Sequence, residues 1–253
     1  MEFSEPVGSE DPYAQRLKRQ ITEIILWADG QHERKSQVRI GPSELSSECD
    51  RQIGYRLAGI PATNASADPW AAIVGTAIHS WMDKAVSAWL AHTGTPNWVV
   101  ESVLYMDDYV QGRCDLYADG TVVDYKTGGT DRMKQVRKDG FPQNYRNQVH
   151  IYGYGFAKKG FPVSRVALVL LPRSGMLRDM YVWTEPYSHF LAVKQLGKVE
   201  RIGLDLLRRD VLSHPERWND VPATPSHDCG YCSHYAFQRT EQGTATDQGC
   251  PGK

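Results

Sequence analysis

The sequence predicts an α/β protein, on three observations. A hairpin pattern occupies the middle of the chain, with VQGRCDLYA and TVVDYKT joined at Asp119-Gly120. A near-continuous apolar run from Val163 to Leu171 follows, of the kind that suits a strand covered on both faces. Around these lie long stretches with apolar residues at helical spacing, most clearly WAAIVGTAIHSWMDKAVSAWLAH between Trp70 and His92. At 253 residues the chain has room for one large α/β domain or two small ones.

Bulk properties narrow the function classes. Hydrophobic content of 41% and charged content of 23% are ordinary for a globular protein. A formal net charge of −1 offers no global attraction to nucleic acid, so any such contact has to use local basic patches. No apolar run is long enough to cross a bilayer, and the acidic start lacks a signal-peptide pattern, which points to the cytoplasm with no membrane contact. Five cysteines in that reducing compartment favour metal binding over disulfides.

Taken in order, Met1 to Glu10 is polar and acidic. Asp11-Pro12 then supplies an N-cap and first helical position. The helix that follows, YAQRLKRQITEIILWA, is expected to pack on the core, and Gln31 to Gln37 to form a charged loop. Pro42-Ser43 opens a helix expected to reach about Ala58, with Cys49 inside it. On the helix from Trp70 to His92, the predicted buried side is Ile73, Val74, Ala77, Ile78, Trp81, Ala85 and Trp89. Gly75 and His79 share a face one turn apart. Glycine costs helix stability there, which a close approach by another backbone or a ligand would explain. Asn97 to Met106 reads as a strand, and its Glu101 is either an extra oxygen ligand or an ion-pair partner.

The hairpin carries the chemistry. Asp-Gly tolerates the positive φ angles of a type I′ turn. A two-residue loop pairs Ala118 with Thr121, and counting back sets Asp115 opposite Asp124, with Lys126 on the face of Asp124. Facing carboxylates repel, and a hard divalent cation reverses that sign. Lys126 is then placed to position a water and to stabilise charge that develops in a transition state. An exposed hairpin with scattered charges is the bland alternative, against which two acids in register beside a lysine favour a metal. Alternation turns Cys114 away from Asp115, as a buried inert thiol.

Gly128 to Gly140 reads as a flexible segment, and its Arg132, Lys134, Arg137 and Lys138 are either phosphate contacts or a solvated surface. In the helix FPQNYRNQVHIYGYGFAKKG, Gln148 and Tyr152 point the same way, and His150 is structural. After the strand from Val163 and a turn at Ser174-Gly175, RDMYVWTE forms a further strand. Thr184 is expected to cap a helix running from after Pro186 to about Leu212, with Phe190, Val193, Leu196, Val199, Ile202 and Leu206 as its apolar stripe. The irregular stretch from His214 to Ser226 leads to a tail, DCGYCSHY to GCPGK. Cys229-x-x-Cys232 is a compact pair which, with Cys49 and Cys250, makes the four-thiolate set that both [4Fe–4S] clusters and Cys₄ zinc sites require.

Asp115 followed by Asp124-Tyr125-Lys126 resembles the active site of the PD-(D/E)XK nuclease superfamily. Gly112 ahead of Asp115 and Thr127-Gly128 after Lys126 are similar to its RecB-like branch. The ordered set Cys49, Gly75-x-x-x-His79, Gly112-x-x-Asp115, Asp124-x-Lys126-Thr127-Gly128, Gln148-x-x-x-Tyr152 and Cys229-x-x-Cys232 resembles the iron–sulfur exonucleases of that branch, including CRISPR-adaptation-type and phage enzymes. The resemblance implies a restriction-endonuclease-like core, a mixed central sheet flanked by helices, with a helical and Cys-rich cap closed by a metal cluster. Residues 70–212 would form the core. Residues 1–69 would contribute Cys49 to the cap, and 213–253 the tail that packs back on it.

The implied activity is a Mg²⁺- or Mn²⁺-dependent DNA exonuclease of repair, recombination or phage replication. It acts on single-stranded or end-bearing duplex DNA, with a recombination protein as a possible partner. His79, Asp115, Asp124 and the Tyr125 carbonyl would be metal ligands, and Lys126, Gln148 and Tyr152 would complete the catalytic set. Cys49, Cys229, Cys232 and Cys250 would hold the cluster. The interval from Cys232 to Cys250 is longer than that family's, which keeps structural Zn²⁺ open, with His227 or His234 as a substitute ligand. Two other readings stand beside it: a non-catalytic DNA-end-binding module of a larger recombination or CRISPR-adaptation complex, and a structural zinc or iron–sulfur protein. Without a Walker-type loop, a built-in helicase motor is not expected.

Overall fold

The structure is a computed structural model that describes residues 11–31, 39–64, 69–94, 97–225, 229–230, 232–236 and 249–252. Five strands form one sheet in the order β1 (Trp98–Tyr105), β2 (Gln111–Ala118), β3 (Thr121–Gly128), β4 (Arg165–Pro172) and β5 (Tyr181–Pro186). β3 and β4 run parallel and the other neighbours antiparallel, so the sheet is mixed. Asp119 and Gly120 both hold positive φ, +46° and +85°, as a type I′ turn needs, and Trp98 Nε1 donates to Asp119 Oδ2 (2.8 Å) to pin the hairpin tip.

The parallel β3–β4 pairing needs a crossover, which α5 (Thr130–Asp139) and α6 (Gln143–Lys158) supply. α5 occupies the stretch read as a flexible segment. Met133 and Val136, one turn apart, are buried and hold it as a helix despite its many charges. α6 lies against one sheet face, and α7 (His189–Arg209) packs on α6. The core on this side unites Cys114, Tyr117, Val122, Val166, Leu168 and Leu170 of the sheet with Val149, Ile151 and Phe156 of α6. It extends without a break to α2 (Pro42–Leu45), to α3 (Asp50–Leu57) and to Trp218, whose indole stacks on Tyr55 at 4.2 Å.

Several helical expectations are corrected. The Pro42 helix breaks after Leu45, so Cys49 is the N-cap of α3 rather than a residue within a helix. Ser188, not Thr184, caps α7, its Oγ accepting from Leu191 N at 3.2 Å, and Thr184 lies in β5. The stripe of α7 is rotated from the predicted one. Ala192, Gln195, Val199, Ile202 and Leu206 are buried, whereas Phe190 is 78% exposed and Val193 is exposed too. On α1 (Pro12–Gln31) no residue is buried, and Trp27 is 68% exposed, so its apolar spacing is not spent on the core.

The other sheet face is covered by α4 (Trp70–Thr93), through Ile78, Met82 and Val86 against Leu116, Val123, Tyr125, Ala167, Val169 and Leu171. Those three helix residues form a single i, i+4, i+8 line. The apolar surface of α4 is wider than that line, and Trp81 and Trp89, expected in the core, stand 66% and 57% exposed.

Candidate active site

The site begins where the sheet opens. The β2–β3 ladder follows the predicted register from Ala118↔Thr121 through Leu116↔Val123 and then stops. Asp115 and Asp124 come next and are not a ladder pair, which corrects the expectation that they face each other across paired strands. Had the alternation continued, Cys114 and Tyr125 would form the next hydrogen-bonded pair. Instead the Tyr125 amide donates to Asp115 Oδ2 at 2.6 Å, so the carboxylate replaces the neighbouring strand.

β1 makes the same break. Its ladder to β2 runs Val100↔Leu116 and resumes at Ser102↔Cys114, skipping Glu101 and Asp115, and Glu101 holds a φ of +45°. Trp98, Val100, Leu116 and Ala118 lie on the α4 side, while Leu104 and Cys114 lie on the opposite side. Both strands therefore exchange faces at this one position. A non-glycine residue with positive φ costs on the order of 1 kcal/mol or more, and such strain concentrates at functional sites. Here it marks the point from which Asp115 leaves the regular pleat. The Glu101 carboxylate pairs with Arg113.

Each helix layer brings one partner to the opening. From α4, His79 Nδ1 lies 2.8 Å from Asp115 Oδ1, and its ring meets Tyr125 edge-on at 6.1 Å. From α6, Gln148 Nε2 donates to Asp124 Oδ1 (3.1 Å), and its Oε1 accepts from Lys126 Nζ (2.9 Å). Lys126 Nζ also stands 2.8 Å from Asp124 Oδ2, in a contact too poorly aligned to count as a hydrogen bond, and Oδ2 accepts none among the described residues. The distance establishes the ion pair.

Hydrogen bonding to Asp115 raises the His79 pKa against the opposing effect of burial, and Asp124 adds to the rise. Burial pushes Asp124 up, opposed by Lys126 and reinforced by Asp115. Burial would lower Lys126, but the charge of Asp124 beside it more than offsets that, so the ammonium persists. Tyr152, beside Gln148, is pushed well up by burial and then by Asp124, so its hydroxyl keeps its proton. Burial also holds Cys114 as a neutral thiol.

Gly112 has a packing reason: a Cβ there would fall 2.5 Å from Pro42 Cδ and 3.0 Å from Tyr152 Cε1. Gly75 does not. A Cβ would meet only Thr127 Oγ1 at 3.8 Å, an ordinary contact, so no close backbone approach accounts for it. Of the four predicted phosphate contacts, Arg132 lies over the Tyr145 ring at 5.6 Å, and Arg137 donates to the Asp179 carbonyl. Lys134 and Lys138 are exposed. The Tyr145 ring also carries Lys126 Nζ at 4.7 Å. Sequence reasoning missed Tyr145, although Tyr145, Gln148 and Tyr152 share one helix face by their i, i+3, i+7 spacing.

The donor set of one imidazole and two carboxylates suits Mg²⁺ or Mn²⁺. Asp124 Oδ2, which accepts no hydrogen bond among the described residues, is where such an ion would compensate a buried charge. As the side chains stand, no three His, Cys, Asp or Glu groups among the described residues converge on one ion, because His79 and the Tyr125 amide hold Asp115 while Lys126 holds Asp124.

The tail returns to the N-terminal region. Asn64 Nδ2 donates to the carbonyls of Gly230 and Cys232, and Thr63 N to that of Ser233. Cys250 bridges beside Tyr235, its amide donating to His234 O at 2.8 Å, so the long interval ends next to the Cys229–Cys232 turn. Arg51 spans the junction, donating to the Asn219 and Val221 carbonyls and reaching Cys250 Sγ at 3.7 Å. Burial raises the Cys232 pKa, and Cys49, Cys250 and Cys229 add to the rise. His234 is buried with its ring 5.3 Å from that of Tyr55, and its Nδ1 has no partner among the described residues. His227 lies outside the described residues.

A family model for the PD-(D/E)XK nuclease superfamily matches residues 89–237, more than half of the sequence, and the chain belongs to that superfamily. Solved structures of similar fold include an alkaline exonuclease, LHK-Exo, from Laribacter hongkongensis (13% identity, 69% of this chain and 94% of that one, TM-score 0.47). The protein SSO0001 is similar too (17% identity, 85% and 92%, TM-score 0.46). So is a phage-related exonuclease from Haemophilus somnus 129PT (12% identity, 64% and 82%, TM-score 0.43). No curated protein sequence matches the chain.

Proposed function

We propose that the protein is a metal-dependent deoxyribonuclease that hydrolyses phosphodiester bonds at DNA ends. The observation that carries this reading is the Lys126 ammonium, held between Asp124 and Gln148 in the opening whose other wall is Asp115 and His79. A lysine kept charged there orients the attacking water and offsets the charge that grows on the scissile phosphate. Gln148 fixes that ammonium and one oxygen of Asp124 together, and Tyr152 stays protonated behind it. His79, Asp115, Asp124 and the Tyr125 carbonyl would hold Mg²⁺ or Mn²⁺, which supplies Lewis-acid charge and a more acidic bound water.

The preference for free ends, on single strands or end-bearing duplexes, is taken from the sequence resemblance to RecB-like exonucleases. So are a role in repair, recombination or phage replication and a recombination protein as partner. A cytoplasmic location fits that role, and among the described residues no helix is long and apolar enough to cross a membrane. A non-catalytic end-binding module would have no need of Asp115, Asp124 and Lys126 together.

Residues 1–69 and 213–253 form, in this reading, a cap on the 70–212 core. Cys49, Cys229, Cys232 and Cys250 hold a [4Fe–4S] cluster there, with structural Zn²⁺ as the alternative, and the cap is thereby tied across the length of the chain. Anaerobic purification followed by metal analysis and visible absorption separates the two.

The nuclease reading is tested by incubating linear DNA with Mg²⁺ or Mn²⁺, with and without chelator. Wild type degrades the DNA only with metal, and Asp124→Ala and Lys126→Ala lose about 10²-fold or more, the scale expected for a transition-state charge stabiliser. Undiminished degradation by both variants overturns it.

A further inference from the structure

Beside the acids, a cleft of about 690 Å³ runs from Tyr145 and Arg132 toward the cysteine cap, where Gln52 and Cys232 line it. That volume lies within the roughly 300–1,000 Å³ typical of ligand pockets. Phe141 and Asn144 line its wall, and Asp139 is its one carboxylate among the described residues. Tyr145 lines one end of the cleft, and the same ring carries the Lys126 ammonium.

Tyr145 has an arrangement that core packing does not require. Its half-buried ring takes the Lys126 ammonium at 4.7 Å and the Arg132 guanidinium at 5.6 Å. Arg132 has no carboxylate partner among the described residues. Its Nη1 donates only to the neutral Gln135 Oε1 at 3.2 Å, so its charge is available to an anion. Gly128 permits this placement, because a Cβ there would fall 3.0 Å from Arg132 Cγ. An aromatic face flanked by cations that are not neutralised is the chemistry that takes a nucleobase and its phosphate.

We infer that this cleft binds the unpaired strand of a DNA end, with a base stacked on Tyr145 and the adjoining phosphate on Arg132. The next phosphate is thereby delivered to Lys126 and Asp124. The inference rests on the nuclease reading for the last step only; strand binding stands without it. A stacked base is read by its π face, so the cleft takes any sequence. A base inside a duplex is stacked on both faces, so a base must leave the stack, as at a frayed or resected end, to lie along Tyr145 within the cleft. Tyr145 is accordingly a positioning residue for Lys126 and a contact for the substrate.

The test uses the intact protein without added Mg²⁺ or Mn²⁺, so that the cap keeps any metal it holds, and a fluorescein-labelled oligothymidylate as probe. Wild type binds it. Tyr145→Ala weakens binding roughly 5- to 100-fold, the range for losing one base–aromatic stack, whereas Tyr145→Phe and Tyr145→Trp stay near wild type. Arg132→Gln weakens binding and flattens its salt dependence. Gly128→Ala, which displaces Arg132, does the same to a lesser degree. A 5-iododeoxyuridine oligonucleotide crosslinks on irradiation to a peptide containing Tyr145, a result that a purely structural tyrosine does not give. Equal binding by wild type and Tyr145→Ala, or crosslinks confined to other peptides, overturns the proposal. Binding and crosslinking at Tyr145 without DNA cleavage in Mg²⁺ or Mn²⁺ would uphold the cleft while removing the nuclease reading.

Discussion

The Tyr125 amide donates to Asp115 Oδ2 at 2.6 Å, a side chain standing where a strand should be. The bond holds β2 and β3 apart at the place where His79, Asp124, Lys126 and Gln148 gather. It also separates two functions of Asp115 that substitutions can divide. Asp115→Asn keeps an oxygen for the amide but removes the charge that raises His79. It should leave the melting temperature close to wild type, lower the His79 pKa seen by NMR titration, and reduce DNA degradation about 10²-fold or more. Asp115→Ala leaves the amide unpaired and should cost about 1–3 kcal/mol in denaturant unfolding.

Gly75 meets nothing closer than Thr127 Oγ1 at 3.8 Å. Alanine at such a helical position should raise stability by about 0.5–1 kcal/mol through backbone entropy. If the space beside His79 belongs to the substrate, Gly75→Ala raises the melting temperature and raises KM for DNA together. A more stable variant with unchanged KM would assign the glycine no role at the site.

His150 gives the fold an acid-sensitive joint. Its Nε2 lies 2.8 Å from Glu185 Oε1, and its Nδ1 accepts from Ser188 N at 3.2 Å, at the start of α7. Burial lowers its pKa against the opposing pull of Glu185, so the folded protein favours the neutral ring. Stability from this residue is complete above the ordinary value of 6.5 and declines as pH falls through it toward the lower folded value. Glu185 acts at lower pH. Arg146 and His150 more than offset its burial and hold its pKa down, so its contribution is lost only below the ordinary carboxylate range. Melting temperatures across pH 5 to 8 should therefore fall on the acid side for wild type and stay flatter for His150→Gln.

Cys49 can be tested without disturbing its helix, because it occupies the N-cap of α3 and serine is a better cap than cysteine. If the proposed four-cysteine site binds metal, Cys49→Ser should keep the helix start but lower bound iron or zinc per chain and the melting temperature. Equal metal content in Cys49→Ser and wild type would remove Cys49 from the cluster.

Much of the site is legible in the sequence because its information is local. Turn chemistry at Asp119-Gly120 sets the β2–β3 register, which the structure follows as far as Leu116↔Val123. Helical spacing brings Gln148 and Tyr152 to one face, and Gln148 does meet Asp124 and Lys126. The break after Leu116 is not legible, since it depends on His79 arriving from α4, 36 residues earlier, to hold Asp115. The exposure of Trp27, Trp81 and Phe190 is equally hidden. Apolar spacing states that a helix has a face, not whether another element is present to cover it.

By itself the sequence determined the strands in chain order, most of the helices though not α5 or the break between α2 and α3, and which residue types could carry chemistry, because propensity, turn geometry and side-chain period act over a few residues. Only the tertiary structure decided that Asp115 leaves its ladder, that Lys126 lies between Asp124 and Gln148, and that Tyr145 borders both the lysine and the cleft. Those relations join segments far apart in the chain, and their geometry is set by the packing of α4 and α6 on opposite faces of one sheet.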